Sequence, residues 1–238
     1  MSTLFKVGLL TTALAFAASS AMATSSIDLR VTGKIIPPSC TPTFGAGGGT
    51  VDFGNILVST LSTTNDTALQ DVKQVPVTIT CDAPTRVGIT FTDQRANSRS
   101  TTPMSRGFIT TDFPNDVGYF FGLGLTAEQK QIGVYALGIN TNGAKNATGE
   151  TRYPIYSDDN GRTWTEALSS PDGQWYNPLK NNGTQITAFA KDGESQVSPE
   201  SSLAFNVAVA AIIQDLQTLH VTDQITLDGL TSINLVYL

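Results

Sequence analysis

The chain has 238 residues, 40% hydrophobic and 14% charged, with 21 glycines and 11 prolines. That composition suits a packed, turn-rich globular protein and excludes a coiled coil or a disordered segment. Fourteen Lys and Arg against 20 Asp and Glu leave a formal charge of −6 with no basic run, so a phosphate backbone is repelled and no nucleic-acid partner is expected.

Lys6 precedes the apolar run Val7 to Ala18 and then Ala21-Met22-Ala23, a small-x-small cleavage pattern, so residues 1–23 read as a secretory signal peptide. The run is shorter than the roughly 20 residues of a bilayer span. No later stretch is long and apolar enough to replace it, so the expected product is exported and has no membrane span. Cys40 and Cys81 are an even pair in an exported chain, which reads most simply as one disulfide. A redox or metal pair lacks the Cys-x-x-Cys spacing, and His220 is the only histidine in the sequence.

Short period-two runs follow in chain order: Ile27, Leu29, Val31 and Ile35; Val75, Val77 and Ile79; Val87, Ile89 and Phe91; Phe205 to Ile213; and Ile225 to Tyr237. Alternation of this kind marks strands with one buried face. Thr126 to Gln131 is expected as a short helix capped by Thr126. Asn142-Gly143, Pro171-Asp172-Gly173 and Asn182-Gly183 are turn signals. The fold class is therefore all-β, a sandwich. Residues 24–238 read as a single domain, and about 93–202 as an insertion of hairpins and loops at one end of it. No fixed-period repeat supports a propeller or solenoid.

Four segments carry a resemblance. Val31 to Cys40 looks like the opening strand of chaperone-usher fimbrial (pilin) subunits, Val51-Asp52-Phe53-Gly54-Asn55-Ile56 like the strand that follows it, Val77-Thr78-Ile79-Thr80-Cys81 like the strand with the partner cysteine, and Thr231 to Leu238 like their C-terminal strand with a penultimate aromatic, Tyr237. Together they resemble most closely a fimbrial-like bacterial family of unknown function with members described as beta-fimbrial major subunits. The resemblance implies an immunoglobulin-like sandwich lacking its last strand, whose groove is filled first by a periplasmic chaperone and then by the N-terminal arm of a neighbouring fimbrial subunit. It also implies passage through an outer-membrane usher to a fimbrium on the cell surface. The arm falls on Thr24–Thr32 with Ile27, Leu29 and Val31 inserting; Ile233, Leu235 and Tyr237 fall on the strand that meets the chaperone and lines the groove. The sequence departs from the pattern twice: the arm spans at most about 30 Å extended, and Ile225 stands where such subunits carry a glycine.

Other motifs compete. Ser157-Asp158-Asp159-Asn160-Gly161-Arg162-Thr163-Trp164 matches the Asp-box of sialidases. In those enzymes the box repeats once per blade, far from the catalytic arginines. A single copy in a chain too short for six blades reads as a structural hairpin built on Ser157, Asp159, Gly161, Thr163 and Trp164. Arg95, Arg99 and Arg106 can hold an anion or sit in water. Asp112, Asp116, Asp158 and Asp159 lack a calcium-loop pattern, and Trp175 and Tyr176 can stack on a sugar or cover the insertion's own core. One histidine and no nucleophile motif give no catalytic constellation. The chain is expected to be no enzyme and to need no metal or cofactor. A self-complete periplasmic or secreted protein that binds a ligand, such as a glycan, is the alternative to the fimbrial subunit.

Overall fold

The computed structural model describes residues 27–36, 38–69, 71–99, 116–167 and 176–238. The predicted signal peptide, the first three arm residues, Arg106, Asp112 and Trp175 lie outside them. The described residues fall into two units, one ending at Ile36 and one beginning at Pro37. In the first, residues 27–36 belong to no helix or strand, and Ile27, Leu29 and Val31 are 97%, 91% and 88% exposed.

Among its described residues the second unit is all-β but for one turn of α-helix and three 3-10 turns. In chain order its strands are β1 (Cys40–Phe44), β2 (Thr67–Ala68), β3 (Lys73–Thr85), β4 (Val87–Asp93), β5 (Phe120–Gly122), β6 (Gly133–Asn140) and β7 (Ala144–Asn146). They continue as β8 (Thr151–Ser157), β9 (Thr165–Glu166), β10 (Tyr176–Pro178), β11 (Ile186–Ala190), β12 (Glu200–Ile213) and β13 (Thr231–Tyr237), with α1 (Leu216–Leu219) between the last two. All pairings are antiparallel. One layer is built around β12, which pairs with β3 on one side and β6 and β7 on the other; β1 extends it beyond β3. The facing layer runs β8-β11-β4-β13, and β7 pairing with β8 joins the two layers along one flank. The antiparallel sheet thus nearly closes into a sandwich, with β1 and β13 as the two ends of its strand order.

Alternation explains the core. Val77, Ile79 and Cys81 of β3 and Leu203, Phe205, Val207 and Val209 of β12 point inward against Ile89 and Phe91 of β4, and the intervening Thr78 and Thr80 do not reach the buried class. The expected disulfide joins Cys40 to Cys81, which stand opposite each other in the β1–β3 ladder.

Four local expectations differ from what is observed. The runs at 27–35 and 51–56, expected as strands, belong to no strand. Thr126 to Gln131 forms a tight turn, with Leu125 bridged to Gln131 and the Gln129 amide donating to the Thr126 carbonyl; Gln129 takes a positive φ of 63°, which a helix interior does not allow. The α-helical turn instead follows Asp215, whose carboxylate accepts from the Thr218 amide. The stretch between 93 and 202 supplies β5 to β11, and β6 and β11 run inside the two layers. Both are apolar on both faces: behind β6 and β12 a second cluster of Phe120, Val134, Ala136, Ala210 and Ile212 is buried. Strands covered twice lose the alternation by which a strand is recognised.

Replacing both cysteines (Cys40→Ser with Cys81→Ser) removes a crosslink with a sequence separation of 41. The expected cost is about 4 kcal/mol, read as a lower urea midpoint with far-UV circular dichroism unchanged at zero denaturant.

Candidate functional site: an open apolar groove

The β1–β3 ladder ends for a stereochemical reason. Its last register pair is Phe44 opposite Val77, and the Gly45 amide then donates to the Pro76 carbonyl at 2.9 Å. Proline has no amide to return the bond, so the chain leaves β3 there. It passes through a glycine-rich loop into residues 51–58, which form one lip of a groove. Val51 and Phe53 pack on the core while Asp52 and Asn55 face water. Gly54 takes a φ of +68°, and its amide donates to Asp52 Oδ1 at 2.7 Å, which fixes the bend.

Residues 223–230 and β13 form the other lip. Ile225 and Leu227 pack on the core, and Ile225, the residue that replaces the glycine of the resembling subunits, lines the groove. The strap is tied down at several points. The Asp228 amide donates to the Leu123 carbonyl at 2.8 Å, and the Gln94 amide to the Leu230 carbonyl at 2.9 Å. The Asp228 carboxylate takes a two-point bond from Arg95, with Nε at 2.9 Å and a terminal nitrogen at 3.2 Å, and that bond holds the carboxyl below its ordinary pKa. Gly229 lies so close to Tyr135 that a Cβ there would stand 2.7 Å from the ring. The turn carrying Arg95 is braced by buried Asp93, which accepts from the Arg95 amide and from the Gly122 amide.

Between the lips lies a cavity of about 750 Å³ that reaches the core. Its floor is apolar: Val75, Phe91, Leu137, Val207 and Val209, with Tyr135. Burial pushes the Tyr135 phenol up to about 12, with a smaller opposing effect from the hydrogen bond to Thr231, whose Oγ1 lies 2.6 Å from the hydroxyl. Among the described residues β13 pairs with β4 alone, over seven residues from Thr231 opposite Asp93 to Tyr237 opposite Val87. Its other edge therefore retains main-chain donors and acceptors without ladder partners. At the far end β13 touches β1, where the Cys40 amide donates to the Tyr237 hydroxyl at 2.9 Å. Unpaired main chain beside an apolar trough is the chemistry that takes up an extended strand.

The remaining sequence candidates are placed as follows. Ile233 lines the groove, Leu235 packs on the core, and Tyr237 is half exposed. The Asp-box is a self-satisfied hairpin after β8: the Asp159 carboxylate accepts from the Thr163 hydroxyl and amide, the Arg162 amide and the Ser157 hydroxyl. Those bonds, from Thr163 first, hold its pKa far below the usual carboxylate range. Trp164 packs on Ile155, Ala188, Ala190 and Val197. Arg95 is committed to Asp228, Asp158 to Lys180 at 2.8 Å, and Asp116 to the Gly118 amide. The backbone of Tyr176 is in β10. His220 is an exposed residue closing α1. Among the described residues no three His, Cys, Asp or Glu side chains gather as metal ligands, and no helix is long and apolar enough to cross a membrane. Sequence reasoning missed the Arg95–Asp228 tie and the buried Arg152, which pairs with Glu200 and with Glu150; partners 133 and 48 residues apart leave no local signal.

Fold and groove together define a disulfide-stapled β-sandwich that is open between two edge strands. Residues 29–136, from the arm through β1 and the first lip into β6, match a family described as "Protein of unknown function (DUF1120)". Two proteins of Escherichia coli (strain K12) align over nearly the whole chain. One, "Uncharacterized protein YhcF", is 30% identical over 239 residues, 98% of this chain and 99% of its own. The other, "Protein GltF", is 30% identical over 241 residues, 95% of this chain and 94% of its own. The chain belongs to one family with YhcF and GltF.

Because the native state holds the Tyr135 proton more tightly than an ordinary phenol, with a value of about 12 against 10.0, this residue's contribution to stability is intact below pH 10 and is lost as pH rises towards 12. Tyr135→Phe should cost about 1 kcal/mol at pH 7 through the lost Thr231 bond and should flatten the decline above pH 10. Urea titrations of both proteins at neutral and alkaline pH check this, and parallel declines would assign the alkaline loss to other groups.

Proposed function

We propose that the chain is a non-enzymatic structural subunit of a surface fimbria. A periplasmic chaperone fills its groove first. Release to an outer-membrane usher follows, and the groove then receives the N-terminal arm of a neighbouring subunit. The observation that carries this reading is the pairing of an open apolar groove, bounded by the one-sided strand β13, with an arm whose Ile27, Leu29 and Val31 alternate and lie almost fully exposed. In strand addition the main chain supplies generic affinity, and alternate side chains seated in pockets set the register. An unpaired sheet edge otherwise invites aggregation, which gives a chaperone its task. The resemblance of residues 31–40, 51–56, 77–81 and 231–238 to pilin strands supports the same reading. The sandwich is then immunoglobulin-like and short of its last strand, and its place is the periplasm and afterwards the cell surface.

A second reading rests on the cavity itself, whose volume of about 750 Å³ lies within the roughly 300–1,000 Å³ of small-molecule sites. It makes the chain a self-complete exported binding protein, with a ligand such as a glycan.

Periplasmic expression with and without a fimbrial chaperone, followed by size-exclusion chromatography, separates the two. The subunit should stay soluble only as a chaperone complex, and deleting residues 24–32 should abolish polymers while leaving that complex intact. A stable monomer that needs no chaperone, and that the deletion destabilises, would sink the subunit reading.

A further inference from the structure

Among the described residues the groove lining holds three acidic side chains, Asp52, Asp223 and Asp228, and no lysine or arginine. Asp228 is neutralised by Arg95. Asp52 and Asp223 are exposed at the two opposite lips; Asp52 accepts the Gly54 amide on one oxygen. Lys73 stands 5.9 Å over the Phe53 ring beside the first lip and is paired with Asp71. The mouth is therefore apolar within and negative at its rim.

The arm has the complementary pattern. Its apolar residues Ile27, Leu29, Val31 and Ile35 occupy odd positions, while Arg30 and Lys34 occupy even ones, with Asp28 the only acid between Ile27 and Ile36. Successive side chains of a strand point to opposite faces, so burying the odd set turns Asp28, Arg30 and Lys34 together towards the mouth, a face with two cations, roughly 13 Å apart along the strand, and one acid.

We infer that the groove selects the arm of a second copy of this same chain, through Arg30 and Lys34 set against Asp52 and Asp223 at its rim. This rests on the strand-accepting reading of the groove and names its partner. Apolar side chains supply the burial, and the charges choose which arm enters and speed its approach.

The test is a titration of the full chain, purified as its chaperone complex, with fluorescent peptides of residues 24–36, read by polarisation as each peptide displaces the chaperone from the groove. The native peptide should outbind Arg30→Gln with Lys34→Gln by about 2- to 20-fold at low salt, the range two exposed ion pairs supply. The gap should narrow at about 0.5 M salt, where screening is strong. A peptide with Arg30→Glu and Lys34→Glu should bind worst and recover on Asp52→Lys with Asp223→Lys. Since Asp52 braces Gly54, Asp223→Lys alone is run beside it, each checked for folding by circular dichroism. A control with Leu29→Ser and Val31→Ser removes the buried face. Equal, salt-independent binding of native and neutral peptides, both above the control, overturns the charge inference and leaves the groove reading standing. Failure of every peptide, or a control that binds as well as native, overturns both.

Discussion

Where β1 leaves β3 at Pro76 and β13 pairs, among the described residues, with β4 alone, the sandwich has two edges that no described strand joins. Everything distinctive about the molecule follows from that. Phe91, Leu137, Val207 and Val209 floor the groove and are themselves buried core residues. Main-chain groups on an edge are unfavourable to leave without partners, and on the strand-accepting reading proposed above this edge is where another strand would pair.

The rest of the fold keeps the opening from collapsing. At one end the disulfide fixes β1 to β3, and the Cys40 amide reaches the Tyr237 hydroxyl, so the two edges meet through a single side chain. At the other end the strap before β13 is held by Leu123, Gln94 and Arg95 and lies against the Tyr135 ring, with the Gly229 contact excluding any side chain there. The lip at 51–58 is shaped by the Asp52–Gly54 bend rather than by a ladder. The groove is thus a product of fixed ends and unpaired middles.

Polar clusters elsewhere show what a completed structural motif looks like by contrast. The Asp159 carboxylate has its lone pairs taken up by donors of its own hairpin. Asp93 is occupied by two amides, and Arg152 is enclosed by Glu150 and Glu200. Such groups spend their hydrogen-bonding capacity on the fold and have little left for a ligand. The rim residues Asp52 and Asp223 face water instead.

By itself the sequence determined the all-β class, the Cys40–Cys81 bond and the strands β3, β4, β12 and β13, because period-two patterning and an even cysteine count are local signals. It also marked 51–56 as a strand, where the structure has none and makes the segment a lip of the groove. The tertiary structure alone decided that β6 and β11 are core strands, since burial on both faces erases alternation. It turned Thr126–Gln131 into a hairpin turn and set Ile225 in the groove wall. Most of all, it decided where the sandwich stays open, because an unpaired edge is a relation between β1 and β13, nearly two hundred residues apart, joined where Cys40 meets Tyr237 across 197 positions. Patterning tells a residue which face to bury, and only the assembled sheets tell it whether anything is there to cover it.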